Sequence, residues 1–79
     1  MKFGVKVMPR EVILDTQGRA VEQTLKSQDF HLQSCRVGKF IEIEVAAESE
    51  TEGRGLVQKM AEFVLYNPLI ENYEIHRMS

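Results

Sequence analysis

The run from Cys35 to Ala46 alternates apolar and polar residues over a longer span than any other part of the chain, and it limits what the rest can become. From Phe40 onward, Ile41, Ile43 and Val45 fall on one side and Phe40, Glu42, Glu44 and Ala46 on the other. That is the period of two of a half-buried strand. One face of a sheet is therefore core, while the other carries two carboxylates and an isolated aromatic, a surface on which something can dock. Fully extended, the run would reach roughly 40 Å, whereas a compact chain of this size is only about 30 Å across. The strand must bend, break or protrude. Gly38 is the expected place for a bulge or tight turn, because it has no Cβ to oppose one. If the strand stays continuous, its surplus length belongs to a partner chain.

The chain of 79 residues is close to the lower size at which a single core folds without staples, so one domain that gains from oligomerisation is expected. A lone cysteine excludes an internal disulfide, and no cysteine or histidine pair has zinc-site spacing, which fits a reducing, cytoplasmic setting. The amino-terminal residues have charges spread through them and read as neither a signal peptide nor a membrane span. A net charge of −2 leaves no electrostatic footprint for nucleic acid or an anionic membrane, so protein partners are expected.

Phe3, Val5 and Val7 alternate with Lys2, Gly4 and Lys6 in a first strand that Pro9 closes. Val12, Ile13 and Leu14 are too apolar for a solvated loop and are expected over an edge of the core. Asp15 is a suitable N-cap for a helix running to about Gln28, with Ala20, Val21, Thr24 and Leu25 as its buried stripe. A strand can begin at His31. Ser49 to Glu52 reads as a capping box for a second helix, whose main sheet-facing side is expected to be Leu56, Met60, Phe63 and Val64, with Val57 and Ala61 beside them. Gly53 and Gly55 weaken its first turn or allow another backbone to approach closely. Asn67-Pro68 ends that helix, and Ile70 to Arg77 makes the last strand with Tyr73 and Ile75 facing the core. The order β-α-β(β)-α-β implies an α+β, ferredoxin-like-related domain over residues 1–79, an antiparallel sheet with two helices on one face.

No catalytic constellation emerges. His31 and His76 are far apart in sequence, Cys35 has no adjacent base, and no serine lies in a Gly-rich nucleophile turn. Glu42 and Glu44 share a strand face, which marks a wet face or a protected edge more simply than a carboxylate pair. Arg36 and Lys39 flank Val37-Gly38 and can hold a phosphate or a partner's carboxylate, or can be two solvated turn charges. Phe40 and Met8, expected to face away from the helices, are candidate interface anchors. The partner-facing set is thus Arg36, Gly38, Lys39, Phe40 and Met8.

Leu14 to Val21 (LDTQGRAV), Arg36 to Glu42 (RVGKFIE) and Asn67 to Tyr73 (NPLIENY) together resemble the PurS family of phosphoribosylformylglycinamidine synthase subunits. The family pattern has L-D-P-Q-G-x-A, V-R-x-G-K-x-I/L-E and N-P-x-I-E-x-Y in this order. It places Asp15, Gln17, Gly18, Glu42, Asn67, Pro68 and Tyr73 at motif positions. Thr16 departs from it where proline is usual, Gln28-Asp29 where a glycine commonly follows the first helix, and Gly53 and Gly55 by lying in the second helix. The resemblance implies a small cytoplasmic subunit of a purine-biosynthesis ligase that converts formylglycinamide ribonucleotide, glutamine and ATP to the formylglycinamidine. It implies that the chain is non-catalytic and binds no cofactor, ATP and Mg being used elsewhere in the complex. The partners implied are further copies of itself, as dimer or tetramer, a glutaminase subunit PurQ and a large synthetase subunit PurL, with ammonia passing between the latter two. A different class is a ferredoxin-like regulatory domain that binds a small molecule between subunits.

Overall fold

A computed structural model covering residues 1–79 orders the chain as β1 (Lys2–Pro9), α1 (Thr16–Lys26), β2 (Lys39–Glu44), α2 (Glu50–Met60) prolonged by a π turn (Ala61–Leu65), and β3 (Glu71–Arg77). The α+β class and the antiparallel sheet follow the residue pattern. The sheet has 3 strands in the order β2-β1-β3. No strand forms at His31, since residues 29–34 carry no ladder. The long alternating run breaks at the glycine, its ladder beginning at Lys39 and pairing that residue with Val7.

β1 occupies the centre because it is the strand that can be covered on its inner face along its whole length. Phe3, Val5 and Val7 are fully buried, flanked in register by Ile43 and Ile41 on β2 and by Ile75 and Tyr73 on β3. Each such side chain taken out of water stabilises the fold by about 1.5–3 kcal/mol. Val57 and Ala61 close the core from α2, and Tyr66 meets Tyr73 edge-on with ring centroids 4.6 Å apart. Burial, then the Glu62 charge and Tyr66, push the Tyr73 phenol above its usual range.

The helices depart from expectation in two ways. In α2 the buried residues are Gly53 and Val57, continued by Ala61 in the π turn, whereas Leu56, Met60, Phe63 and Val64 are exposed, Phe63 by 88%. The helix turns its small residues to the sheet because they let its backbone come close, and its bulkier stripe is left outward. Second, only α2 packs on the sheet. α1 has no substantial contact with any other element, and the molecule measures 50 × 27 × 15 Å, with a radius of gyration of 15.7 Å against about 12 Å for a compact chain of this length. The stripe expected to be buried is accordingly open, with Ala20, Val21 and Thr24 exposed and Leu25 half-buried. Val12 and Leu14 are exposed too, at 90% and 63%, and Ile13 alone of that trio is partly covered. No helix is long and apolar enough to cross a membrane.

Both helix starts are capped as the sequence suggests. Asp15 Oδ1 accepts the Gly18 amide at 2.8 Å, and Ser49 Oγ accepts the Glu52 amide at 3.2 Å. The return bond of the capping box goes one residue further out, Glu52 Oε2 accepting the Glu48 amide at 3.3 Å.

Candidate functional site

The residues expected to face partners gather at one corner of the sheet, where the end of β1 meets the start of β2. Gly38 lies against β1 so closely that a Cβ there would come within 2.3 Å of the Val7 carbonyl oxygen and 2.4 Å of the Met8 sulfur. It is a packing residue. Arg36 donates from its guanidinium to the Pro9 carbonyl, which ties the segment before Gly38 to the end of β1. Phe40 turns to the outer face, where its ring lies over Gly4 and remains 54% exposed. Lys39 is exposed, and Met8 half-buried beside Gly38. Of the five, Lys39 and Phe40 present free surface, while Gly38 and Arg36 have a role in shaping the corner.

Of the motif positions, Asp15, Gly18, Asn67 and Pro68 sit in two clasps. Asp15 bridges its own helix and a distant segment, with Oδ2 accepting the Val37 amide at 2.8 Å while Oδ1 holds Gly18. These two amide hydrogen bonds, Gly18 first, hold its carboxyl below the usual carboxylate range, with help from the Arg36 charge. Gly18 is buried, since a Cβ would meet Asp15 Oδ2 at 2.3 Å and the Cys35 carbonyl oxygen at 2.7 Å. The second clasp is the Asn67-Pro68 turn. Asn67 Oδ1 accepts the Leu69 amide at 3.0 Å, the Asn67 amide donates to Glu71 Oε1 at 2.7 Å, and Arg10 donates to the Pro68 carbonyl from Nη2 at 2.8 Å. Gln17 and Glu42 are exposed and make no such bond.

A hollow of about 500 Å³ opens on the outer side between the end of β1 and β3, bordered by Lys6, Arg10, Arg36, Glu74 and Tyr73. Its two arginines are engaged by the Pro68 and Pro9 carbonyls, and Glu74 offsets Lys6 across the ladder. His76 Nε2 sits 3.2 Å from Glu74 Oε2 on exposed strand surface, His31 is exposed after α1, and no three His, Cys, Asp or Glu side chains cluster as metal ligands.

What the residue pattern missed is the apolar surface of α2. Leu56, Met60, Phe63 and Val64 have the spacing of a core face but lie outward. The available signal was Gly53, Val57 and Ala61, small residues four apart, which mark where a helix can approach most closely.

The family model PurS, phosphoribosylformylglycinamidine (FGAM) synthase, matches residues 2–79. The PurS subunit of Thermotoga maritima is 32% identical over 78 residues, covering 98% of this chain and 95% of the relative. That of Bacillus subtilis is 37% identical over 73 residues, covering 91% and 86%. A chain in the structure of PurLQS from Thermotoga maritima superposes with a TM-score of 0.91 at 32% identity, covering 98% of this chain and 95% of that one. With the match running through both clasps and the whole sheet, the chain belongs to the PurS family of phosphoribosylformylglycinamidine synthase subunits.

Proposed function

We propose that this PurS subunit acts in purine biosynthesis by assembly, holding a glutaminase subunit PurQ and a synthetase subunit PurL together so that ammonia from glutamine reaches the amidation site. The observation that carries this reading is the apolar surface left open on both helices, Val21 on α1, and Leu56 and Met60 on α2 with Phe63 on the π turn after it. So much exposed apolar area on a small chain marks a surface that is covered in use. The Thermotoga maritima relative occurs in PurLQS, which supports PurL and PurQ as the partners. Homo-oligomerisation belongs to the same reading, because the core is small and the inner sheet face is covered by one helix only.

The chemistry is assigned to the other chains. Glutamine hydrolysis needs an activated nucleophile beside a base, and ATP use needs a phosphate cradle with carboxylates for Mg. The test is reconstitution with glutaminase and synthetase subunits, ATP and glutamine. Omitting this chain should abolish glutamine-dependent amidation and spare at least part of the ammonia-dependent reaction. Full glutamine-dependent activity without it would overturn the assembly role.

A further inference from the structure

The hollow of about 500 Å³ on the outer side of the sheet has no part in the assembly reading, which rests on the helices. Lys6, Arg10 and Arg36 border it against Glu11 and Glu74, a positive excess in a chain of net charge −2. None of the three cations is paired with a carboxylate. The ion pairs of the chain are Lys26–Glu22, Arg54–Glu50, Arg77–Glu50 and His76–Glu74. Glu74 stands opposite Lys6 in the ladder, but its carboxylate lies 3.2 Å from His76 on its own strand.

Both arginines are held in place by the backbone. Arg10 donates from Nε and Nη2 to the Pro68 carbonyl, at 3.2 and 2.8 Å, and Arg36 donates from Nη2 to the Pro9 carbonyl. A guanidinium carries five N–H donors in a planar fork, so each side chain keeps donors for a ligand after these bonds are made. Because the carbonyls already fix the two side chains, less rotamer freedom is lost when a ligand arrives. A neutral carbonyl also leaves the guanidinium charge in place, which a carboxylate partner would cancel.

The distribution of charge selects the ligand. One guanidinium in a bidentate pair satisfies a single carboxylate, whereas a phosphate monoester brings about −1.5 to −2 charges and three acceptor oxygens. Three cations from separate points on one rim match the phosphate. The volume falls within the range of about 300–1,000 Å³ that holds small molecules, and Met8 and Val12 add apolar wall beside the cations. Such a space suits a phosphate with an organic body better than the bare ion.

We infer that this hollow binds a small phosphate monoester, its phosphate held by Lys6, Arg10 and Arg36 and its organic part set against Met8 and Val12. The chain then has a ligand site of its own, apart from the apolar helix surfaces, and this inference and the assembly reading stand or fall separately.

Calorimetric titration of the full chain with ribose 5-phosphate, inorganic phosphate and ribose tests it. Ribose 5-phosphate should bind, inorganic phosphate should compete with it more weakly, and ribose should give no heat. Lys6 is exposed, so Lys6→Gln probes the site without disturbing the fold. It should weaken binding about tenfold, as the loss of one charge-assisted contact does. Arg36→Gln, checked for folding by circular dichroism, should weaken it at least as much. Lys59→Gln, which removes an exposed cation from α2, should bind as the wild type. No binding of ribose 5-phosphate at millimolar concentration overturns the inference. So does a loss in Lys59→Gln equal to that in Lys6→Gln, which would mark general attraction to cations, or an affinity unchanged in both Lys6→Gln and Arg36→Gln. A glutamate peptide that binds in a Lys6-dependent way while ribose 5-phosphate does not would also overturn it, and would assign the hollow to an acidic segment of a partner protein.

Discussion

Gly53 rests on the ring of Phe3, so closely that a Cβ at position 53 would come within 2.7 Å of the Phe3 Cε2 atom. One and two turns later Val57 and Ala61 continue the same seam, and the distance between α2 and β1 is set by the absence of a side chain at its start.

Gly53→Ala and Gly55→Ala should therefore act in opposite directions, although they lie in the same turn. Helix propensity favours alanine at both by about 1 kcal/mol. At position 53 the Phe3 ring is fully buried and has no room to retreat, so overpacking of about 1–3 kcal/mol should win. At position 55 nothing lies within 4 Å of the new methyl, and the propensity gain should appear undiminished. Urea midpoints of the two variants check this, and equal shifts would remove the seam argument.

The corner where β1 ends and β2 begins should separate in the same way. Gly38→Ala drives a methyl into the Val7 carbonyl and should destabilise the fold by about 1–3 kcal/mol. Lys39→Ala removes an exposed side chain, should change stability by no more than about 0.5 kcal/mol, and should weaken complex formation with the synthetase subunit. Thermal unfolding measured beside a binding assay distinguishes them, and a Lys39→Ala chain that binds as wild type would remove Lys39 from the interface.

How far the sequence determines these outcomes differs between elements. The alternation of Phe3, Val5 and Val7 and the caps at Asp15 and Ser49 are local facts, and the chain alone decides them. Which side of α2 is buried is not local. Leu56 and Met60 outrank Gly53 and Ala61 in hydrophobicity, and periodicity cannot say whether an apolar stripe faces its own sheet or another molecule. The same ambiguity placed Ala20, Val21, Thr24 and Leu25 in a core that they do not enter. The Asp15–Val37 bond was out of reach for another reason, since its partners are 22 positions apart in a stretch without regular structure.

That bond makes a pH prediction. The folded-state pKa of Asp15 is lowered by the Gly18 and Val37 amides, so the carboxylate contributes stability that is fully present above its unfolded pKa of about 3.9. That stability is lost as pH falls through the lower folded value. Asp15→Asn should be less stable than the wild type at neutral pH and should show a shallower decline on acidification below about pH 4. Denaturation midpoints taken from pH 7 downward test it, and parallel profiles for the two chains would count against the clasp.

Cys35 is half-buried and free, and its backbone carbonyl faces Gly18. Cys35→Ala should assemble and support full glutamine-dependent amidation in the reconstituted complex. A folded, assembled and inactive Cys35→Ala chain would refute the non-catalytic reading of this subunit.

The first strand lies between the other two, pairing with β2 on one edge and with β3 on the other. During synthesis β1 is therefore made first and satisfied last, because its second edge stays open until Glu71–Arg77 has been translated. Until then the most apolar strand of the protein has an unpaired edge, the kind of surface that recruits foreign strands. The bond that closes the segment from Asp15 to Val37 involves no residue of β3 and has no such wait. Translation thus allows the Asp15–Val37 bond to close while the sheet is still incomplete, and the sheet becomes whole only once β3 has been made.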